Sequence, residues 1–333
     1  MKVTKKDDLI VLVNELGMEV TLSSYGAGIY DIRLPDKNGE LKSIVVRPEN
    51  YQAYKSSKSY FGKTLGFNAG RLKDSKLFLN DKEYLVKSPS NDALHGGVNG
   101  LSFQYFENIV KSKNEHEYTV IFRHAAKHLS DDLPGNRKVG VIYTFGRKQN
   151  KLSIEYQVET DVNTVANLSN HVYFNLNGGG SILNHELMIK ASHYVKLDKK
   201  LIGVEVKPVN ETMDFRVSKP IGTHINDLEI RKIAQGYDHP WILDEHTLDE
   251  PVAILKNEEH QVNIYTTYPA LVFYSGNYLP DVPTNNGKIT YHECVALEPQ
   301  CVPNAINNPL GQSETGLLLA VESSIHKIIF TFE

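Results

Sequence analysis

The stretch VGVIYTFGRKQNKLSIEYQVE, Val139 to Glu159, decides the fold class. In its second half Leu152, Ile154, Tyr156 and Val158 alternate with polar residues, and VGVIYTF has alternating faces as well. A period of two places one face in a core and the other in water. The polar GRKQN between the two runs turns the chain back, so the pair reads as an antiparallel hairpin. KLFLNDKEYLV (Lys76 to Val86) repeats the pattern in two short strands joined at Asn80 and Asp81, a two-residue hairpin signal. HEYTVIF (His116 to Phe122), NIYTTY (Asn263 to Tyr268), ALVFYSG (Ala270 to Gly276) and KIIFTF (Lys327 to Phe332) follow the same rule. The 18 tyrosines suit half-buried pleated surfaces. Helical periodicity is confined to NDLEIRKIAQG (Asn226 to Gly236), with Asn226 as N-cap, Glu229 three residues on and Gly236 as the stop. No composition break, linker or repeat divides the chain. The expectation is an all-β protein: one domain over residues 1–333, two packed antiparallel sheets and few short helices.

Composition narrows the function. The 333 residues carry 36 basic and 40 acidic side chains, a net charge of −4, with no basic stripe for a phosphate backbone, so nucleic acid is not an expected partner. No apolar run exceeds five residues, which excludes a membrane-spanning helix. The start, MKVTKKDDLIVLVNE, is too acidic and its apolar run too short for a secretory signal, and a cytoplasmic location is expected. Cys294 and Cys301 provide neither a disulfide framework nor zinc spacing. GKT at Gly62 to Thr64 invites a phosphate-loop reading, but Ser57 stands where that motif needs glycine. With no HExxH or CxxC string, no metal and no cofactor are expected; a site missed by that test would draw on His95, His171 and His239.

Four segments set ionisable residues among glycine, proline or asparagine beside strand-like runs, where loops on a rigid scaffold carry chemistry. YFGKTLGFNAGRL (Tyr60 to Leu72) offers the donor fork of Arg71, which could equally be a surface arginine after a turn. NDALHGG (Asn91 to Gly97) stands His95 on a tight turn, where a structural histidine is the alternative. NLSNHVYFNLNG (Asn167 to Gly178) places His171 in an alternating run facing a polar pocket, unless Asn170 or Asn175 satisfies it within a core. Asp238 in GYDHPW lies three residues before Trp241, and an apolar ring beside a carboxylate suits a sugar. Glu298 in CVALEPQCVPNAIN follows an apolar run, and its burial would raise its pKa toward the range of a working base.

Together these strings resemble the aldose 1-epimerase (galactose mutarotase) family, in order and over nearly the whole chain. SSYGAGIYDIRLPDKNG (Ser23 to Gly39) resembles its YGA…PDKxG opening, GFNAGR its GRxAxR and ALHGG its xLHGG. NLSNHVYFNL resembles NLTNHxYFNL, TTYPALVFYSGNYL (Thr266 to Leu279) resembles TTxPxxxFYTGN, and LEPQ resembles LExQ; GYDH also has a counterpart. The resemblance implies a large antiparallel β-sandwich of the galactose mutarotase type. It implies Glu298 as general base, His171 as general acid, and Arg71, His95 and Asp238 as holders of the sugar hydroxyls. Phe67 stands where the family commonly has arginine, Pro299 where it has threonine, and Asn304 replaces an aspartate, which bears on which hexose fits.

The implied reaction opens and recloses a hemiacetal: a base takes the anomeric hydroxyl proton while an acid protonates the ring oxygen. Ordinary pKa values of about 4.3 for Glu and about 6.5 for His place one group ready to accept and the other able to donate. The implied partner is a free monosaccharide such as glucose or galactose. A glycosidase would use Asp238 and Glu298 as a facing carboxylate pair and require no histidine. A carbohydrate-binding module would dispense with His171 or Glu298. An epimerase of a phosphorylated or otherwise modified hexose would want an arginine cluster, and motif places only Arg71 near the site.

Overall fold

A computed structural model of the chain describes residues 2–6, 8–112, 115–278 and 280–333. Met1 and Asp7 of the N-terminal stretch and Leu279, the last residue of the TTYPALVFYSGNYL string, lie outside them.

The deciding hairpin forms as Arg137–Gly146 against Lys151–Thr160, with Phe145 opposite Leu152 and Val141 opposite Tyr156. It sits inside a nine-stranded antiparallel sheet. On one side follow Glu117–Ala126 and Glu107–Ser112. On the other come Ser323–Phe332, Gln261–Thr266, Ala253–Lys256, Glu186–Ile189 and Lys219–Pro220. A six-stranded antiparallel sheet runs Tyr173–Phe174, Val295–Gln300, Ala270–Tyr274, Asp238–Ile242, His193–Leu197, Gly203–Pro208. The sequence expectation of two sheets omits a third, an N-terminal meander of five strands from Lys2–Lys6 to Leu41–Ser43. One apolar cluster draws on all three: Val20 and Ile32 from the meander, Phe122, Tyr143 and Phe330 from the large sheet, Phe174, Trp241, Phe273 and Leu297 from the six-stranded one. Phe174 and Phe330 meet edge to face at 5.7 Å across the two larger sheets.

The turn at Asn80 and Asp81 has both residues in the left-handed region, φ 51° and 58°, as a two-residue turn between right-twisted strands requires. The second helix differs from the sequence reading. It spans Leu228–Ala234 with Asp227, not Asn226, at the N-cap, and Gln235 takes the left-handed position at its end. Asp227 makes no capping bond because its carboxylate accepts from the Thr212 hydroxyl (2.7 Å) and meets His224 Nδ1 (3.1 Å). Glu229 does not close a capping box; it accepts from the Tyr194 hydroxyl and Asn210 Nδ2, both at 2.8 Å. The other helix, Tyr51–Ser56, is capped by Asn50, whose side chain accepts from the Ala53 amide. Among the described residues no helix is long and apolar enough to cross a membrane.

Candidate active site

The six-stranded sheet has two faces with different company. Trp241, Leu271, Phe273, Val295 and Leu297 enter the main core. At odd offsets from these along the strands, Asp238, Val272, Tyr274, Glu298 and Gln300 line a cavity of about 220 Å³ on the opposite face. Pairing fixes their positions: Glu298 lies opposite Val272, and Asp238 opposite Tyr274. Loops complete the walls with Tyr60, Arg71, His95 and His171, so all five residues singled out in the sequence line one cavity.

Glu298 is 2 % exposed. Its Oε2 accepts from Gln300 Nε2 at 3.3 Å, and its Oε1 lies 3.4 Å from His171 Nε2. Burial, reinforced by the Asp238 carboxylate, raises its pKa well above the usual range. Burial moves His171 the other way, down to about 4. The ordinary values therefore do not carry over: both side chains are pushed toward their uncharged forms. His171 is not the core histidine of the alternative reading. Asn170 Nδ2 donates to Gly62 O, Asn175 Nδ2 to Gly180 O and Glu293 O, and the imidazole packs between Tyr60 and Tyr173 at ring distances of 6.0 and 4.6 Å.

His95 sits at φ 52°, followed by Gly96 and Gly97, also left-handed; a Cβ on either would strike a backbone carbonyl, of Gly66 or Lys87. The Gly70 amide donates to His95 Nδ1 at 3.1 Å. The neutral ring therefore carries its proton on Nε2. Burial, with lesser pushes from His171 and Arg71, holds His95 well below the ordinary histidine pKa and so keeps it neutral. Arg71 opens a two-residue strand that pairs with Ala93–Leu94, which brings the guanidinium beside the histidine turn. Asp238 is raised to about 6 by burial, with Arg71 opposing.

Donor atoms of His95, His171 and Glu298 lie within 4.8 Å of one another, the spacing of a possible metal cluster. His95 fits that role poorly, because with Nδ1 engaged its Nε2 presents a proton rather than a lone pair. His239, the third histidine named in the sequence, points to the core face, where its Nδ1 accepts from the Asp238 amide at 3.2 Å.

Trp241 is a correction. Three residues from Asp238 is an odd step on a strand, so the ring faces the core, fully buried, with its indole N–H donating to Met213 O at 2.9 Å. The aromatic walls are Tyr60, Tyr173 and Tyr274 instead. Sequence reasoning missed these and Gln300. The signal for Gln300 was its offset of two from Glu298; the tyrosines required the pairing register. Phe67, Pro299 and Asn304 are not in the cavity lining. Phe67 is buried under the Arg137 guanidinium at 4.4 Å, Pro299 O accepts from the Ser169 hydroxyl at 2.8 Å, and Asn304 Oδ1 accepts from the Lys73 amide at 3.2 Å.

A buried carboxyl against a neutral imidazole, ringed by polar side chains able to donate to or accept from hydroxyls, suits paired proton transfer on a polyol. Comparison with known proteins points the same way. The family model for aldose 1-epimerase matches residues 8–329. The aldose 1-epimerase of Escherichia coli K12 is 32 % identical over 312 residues, covering 90 % of this chain and 88 % of its own length. The galactose mutarotase of Mus musculus is 30 % identical over 324 residues, covering 95 % and 91 %. The crystal structure of galactose 1-epimerase from Lactobacillus acidophilus superposes with a TM-score of 0.86 at 26 % identity, covering 100 % of this chain and 97 % of that one. With the family's model covering residues 8–329, including Arg71, His95, His171, Asp238 and Glu298, this chain belongs to the aldose 1-epimerase family.

Proposed function

We propose that this chain is an isomerase that interconverts the α and β anomers of a free hexose, glucose or galactose, by acid/base ring opening and closure. The observation that carries the reading is the His171–Glu298 pair, 3.4 Å apart and buried in one cavity with Arg71, His95 and Asp238. Glu298 acts as base and His171 as acid; the other three hold the ring.

The proton count balances. Burial alone favours protonated Glu298 beside neutral His171. Ring opening needs a carboxylate to take the anomeric hydroxyl proton and an imidazolium to give one to the ring oxygen. One proton passing from Glu298 to His171 creates that state, and a bound polyol offers the hydroxyl dipoles that make the charged pair affordable in a buried site. Opening then returns Glu298 to the acid and His171 to the neutral ring. Rotation of the aldehyde and the reverse transfers close the ring on the other face. His95, fixed as an Nε2–H donor, and Arg71 require acceptor oxygens; Asp238 requires a hydroxyl that donates, and together they orient the ring for both transfers.

Supporting features extend to the whole chain. The shared apolar cluster supports one domain over residues 1–333. Two free buried cysteines suit a reducing, cytoplasmic setting. The test is polarimetry of freshly dissolved α-glucose and α-galactose. The protein should speed the approach to equilibrium rotation for at least one of them; a rate equal to buffer for both overturns the reading. Chelator dialysis should leave the rate unchanged.

A further inference from the structure

We propose that Lys63, the lysine of the discarded GKT string, is a positioning residue for the proton-transfer pair, its ammonium acting through the segment from Ser57 to Tyr60 that packs against His95 and His171. The proposal rests on the sugar reading of the cavity.

Lys63 is wholly buried and does not line the cavity. Its ammonium donates to Ser57 O at 3.1 Å and sits 5.0 to 5.1 Å from the ring centres of Tyr25, Tyr54 and Phe103. One carbonyl and three π faces are thin compensation for a buried cation, so filling this space with an apolar chain would cost less. What an apolar chain could not do is tie down the Ser57 carbonyl, three residues before Tyr60. Lys63 N–H donates to Tyr60 O at 2.9 Å, closing the turn that sets Tyr60 at φ 57°. The Tyr60 ring then packs on His95 at 4.7 Å and on His171 at 6.0 Å. From the same residue, Lys63 O accepts from the His171 amide at 3.1 Å, while Gly62 N–H donates to His171 O at 2.8 Å. These backbone bonds would survive any side chain; the ammonium adds the tie to Ser57 O, which fixes the segment leading into the Tyr60 ring that packs beside the acid.

Asp281 grips the segment from the other side. Its carboxylate accepts from the Ser57 and Ser59 hydroxyls, at 2.6 and 2.8 Å, and from the Lys58 amide at 2.8 Å. Ser57 therefore lies between a buried cation and an anion. Burial lowers Lys63 to about 8, and the Asp281 charge works against that fall. The groups facing Lys63 do not titrate in this window: burial raises Tyr25 and Tyr54, and for Asp281 the upward push of burial is outweighed by hydrogen bonds from Ser57, Lys58 and Ser59, which together hold it below the ordinary carboxylate range. Loss of the Lys63 proton removes its pull toward Asp281 and weakens its bond to Ser57 O.

Lys63→Met keeps the length and the packing on the rings while deleting the ammonium. We expect kcat to fall by about 10-fold or more with KM little changed, since a misplaced acid is felt in the transition state. Wild type should show a component of rate loss as pH rises through about 8, and Lys63→Met should lack it while keeping the limb that belongs to the Glu298–His171 pair. Asp281→Asn keeps an acceptor and removes the charge, so it should move the alkaline decline to lower pH, a readout that a purely structural role would leave in place. In both variants the Tyr60 and His171 ring signals in NMR should shift while Trp241, on the core face, stays. A turning-over wild type whose alkaline limb neither variant alters overturns the role of Lys63, as do unmoved ring signals. An inactive wild type with moved ring signals overturns the sugar reading instead and leaves the positioning intact.

Discussion

Burial pushes Glu298 up and His171 down, and the pH dependence of turnover follows from that. The reactive pair carries a single proton, so kcat/KM should fall as pH rises through the raised pKa of Glu298, where that proton is lost, and again as pH drops toward about 4, where His171 takes up a second. The acid limb therefore belongs to His171, near pH of about 4, and the alkaline limb to the proton held by the buried pair. Glu298→Gln keeps shape and removes basicity, and a polarimetric rate lower by roughly 10²- to 10⁴-fold is expected. His171→Asn should lose as much, with circular dichroism unchanged. Asp238→Asn should chiefly raise KM and alter the preference among hexose epimers, because its contacts exist in ground and transition states alike; loss of kcat for every sugar with KM constant would place Asp238 in the chemical step. At this scale the sequence was most informative, since glycine-flanked or strand-terminal ionisable residues already stood out. The shifts of their pKa values were not legible, because they depend on burial by segments far away in the chain.

Period-two patterning made the hairpins readable, and the Asn80–Asp81 turn follows from residue type alone. Capping at Leu228–Ala234 was misread because Asp227 and Glu229 are drawn away by Thr212, His224, Tyr194 and Asn210, partners that a local pattern does not contain. The sugar-stacking role given to Trp241 failed for a simpler reason, an odd offset from Asp238. Trp241→Phe should accordingly cost about 1–3 kcal/mol of stability, from the lost indole bond to Met213 O and the space left behind. KM should stay near the wild-type value. Tyr274→Ala, on the cavity face of the neighbouring strand, should do the reverse: KM rises several-fold, measured with the same sugars, because the wall beside Asp238 is lost.

Across the whole molecule, the core shared by three sheets should make chemical unfolding a single cooperative transition with coincident fluorescence and circular dichroism curves. Its pH dependence has a definite sign. Burial lowers His185 and His239 to about 4, whereas the unfolded chain takes up those protons near the ordinary value of about 6.5. Their contribution is thus present above about 6.5 and is lost as pH falls toward about 4. Asp238 and Glu298, both raised by burial, work in the opposite direction but are outnumbered, because burial also lowers His95 and His171. The melting temperature should drop by roughly 5 °C or more over that interval, and by less in His185→Gln, which retains an acceptor for the Leu176 amide. Long-range pairing also explains why the third sheet escaped sequence reading: periodicity reveals strands, not which strands become neighbours. The strand Val295–Gln300 shows what this arrangement means for descent with modification. Substitutions there can be accepted one face at a time, but a gained or lost codon would exchange the two populations, turning Leu297 outward and Glu298 into the apolar interior. Relatives of this chain should therefore vary in loop length while keeping the spacing along this strand, which an alignment of such sequences would test.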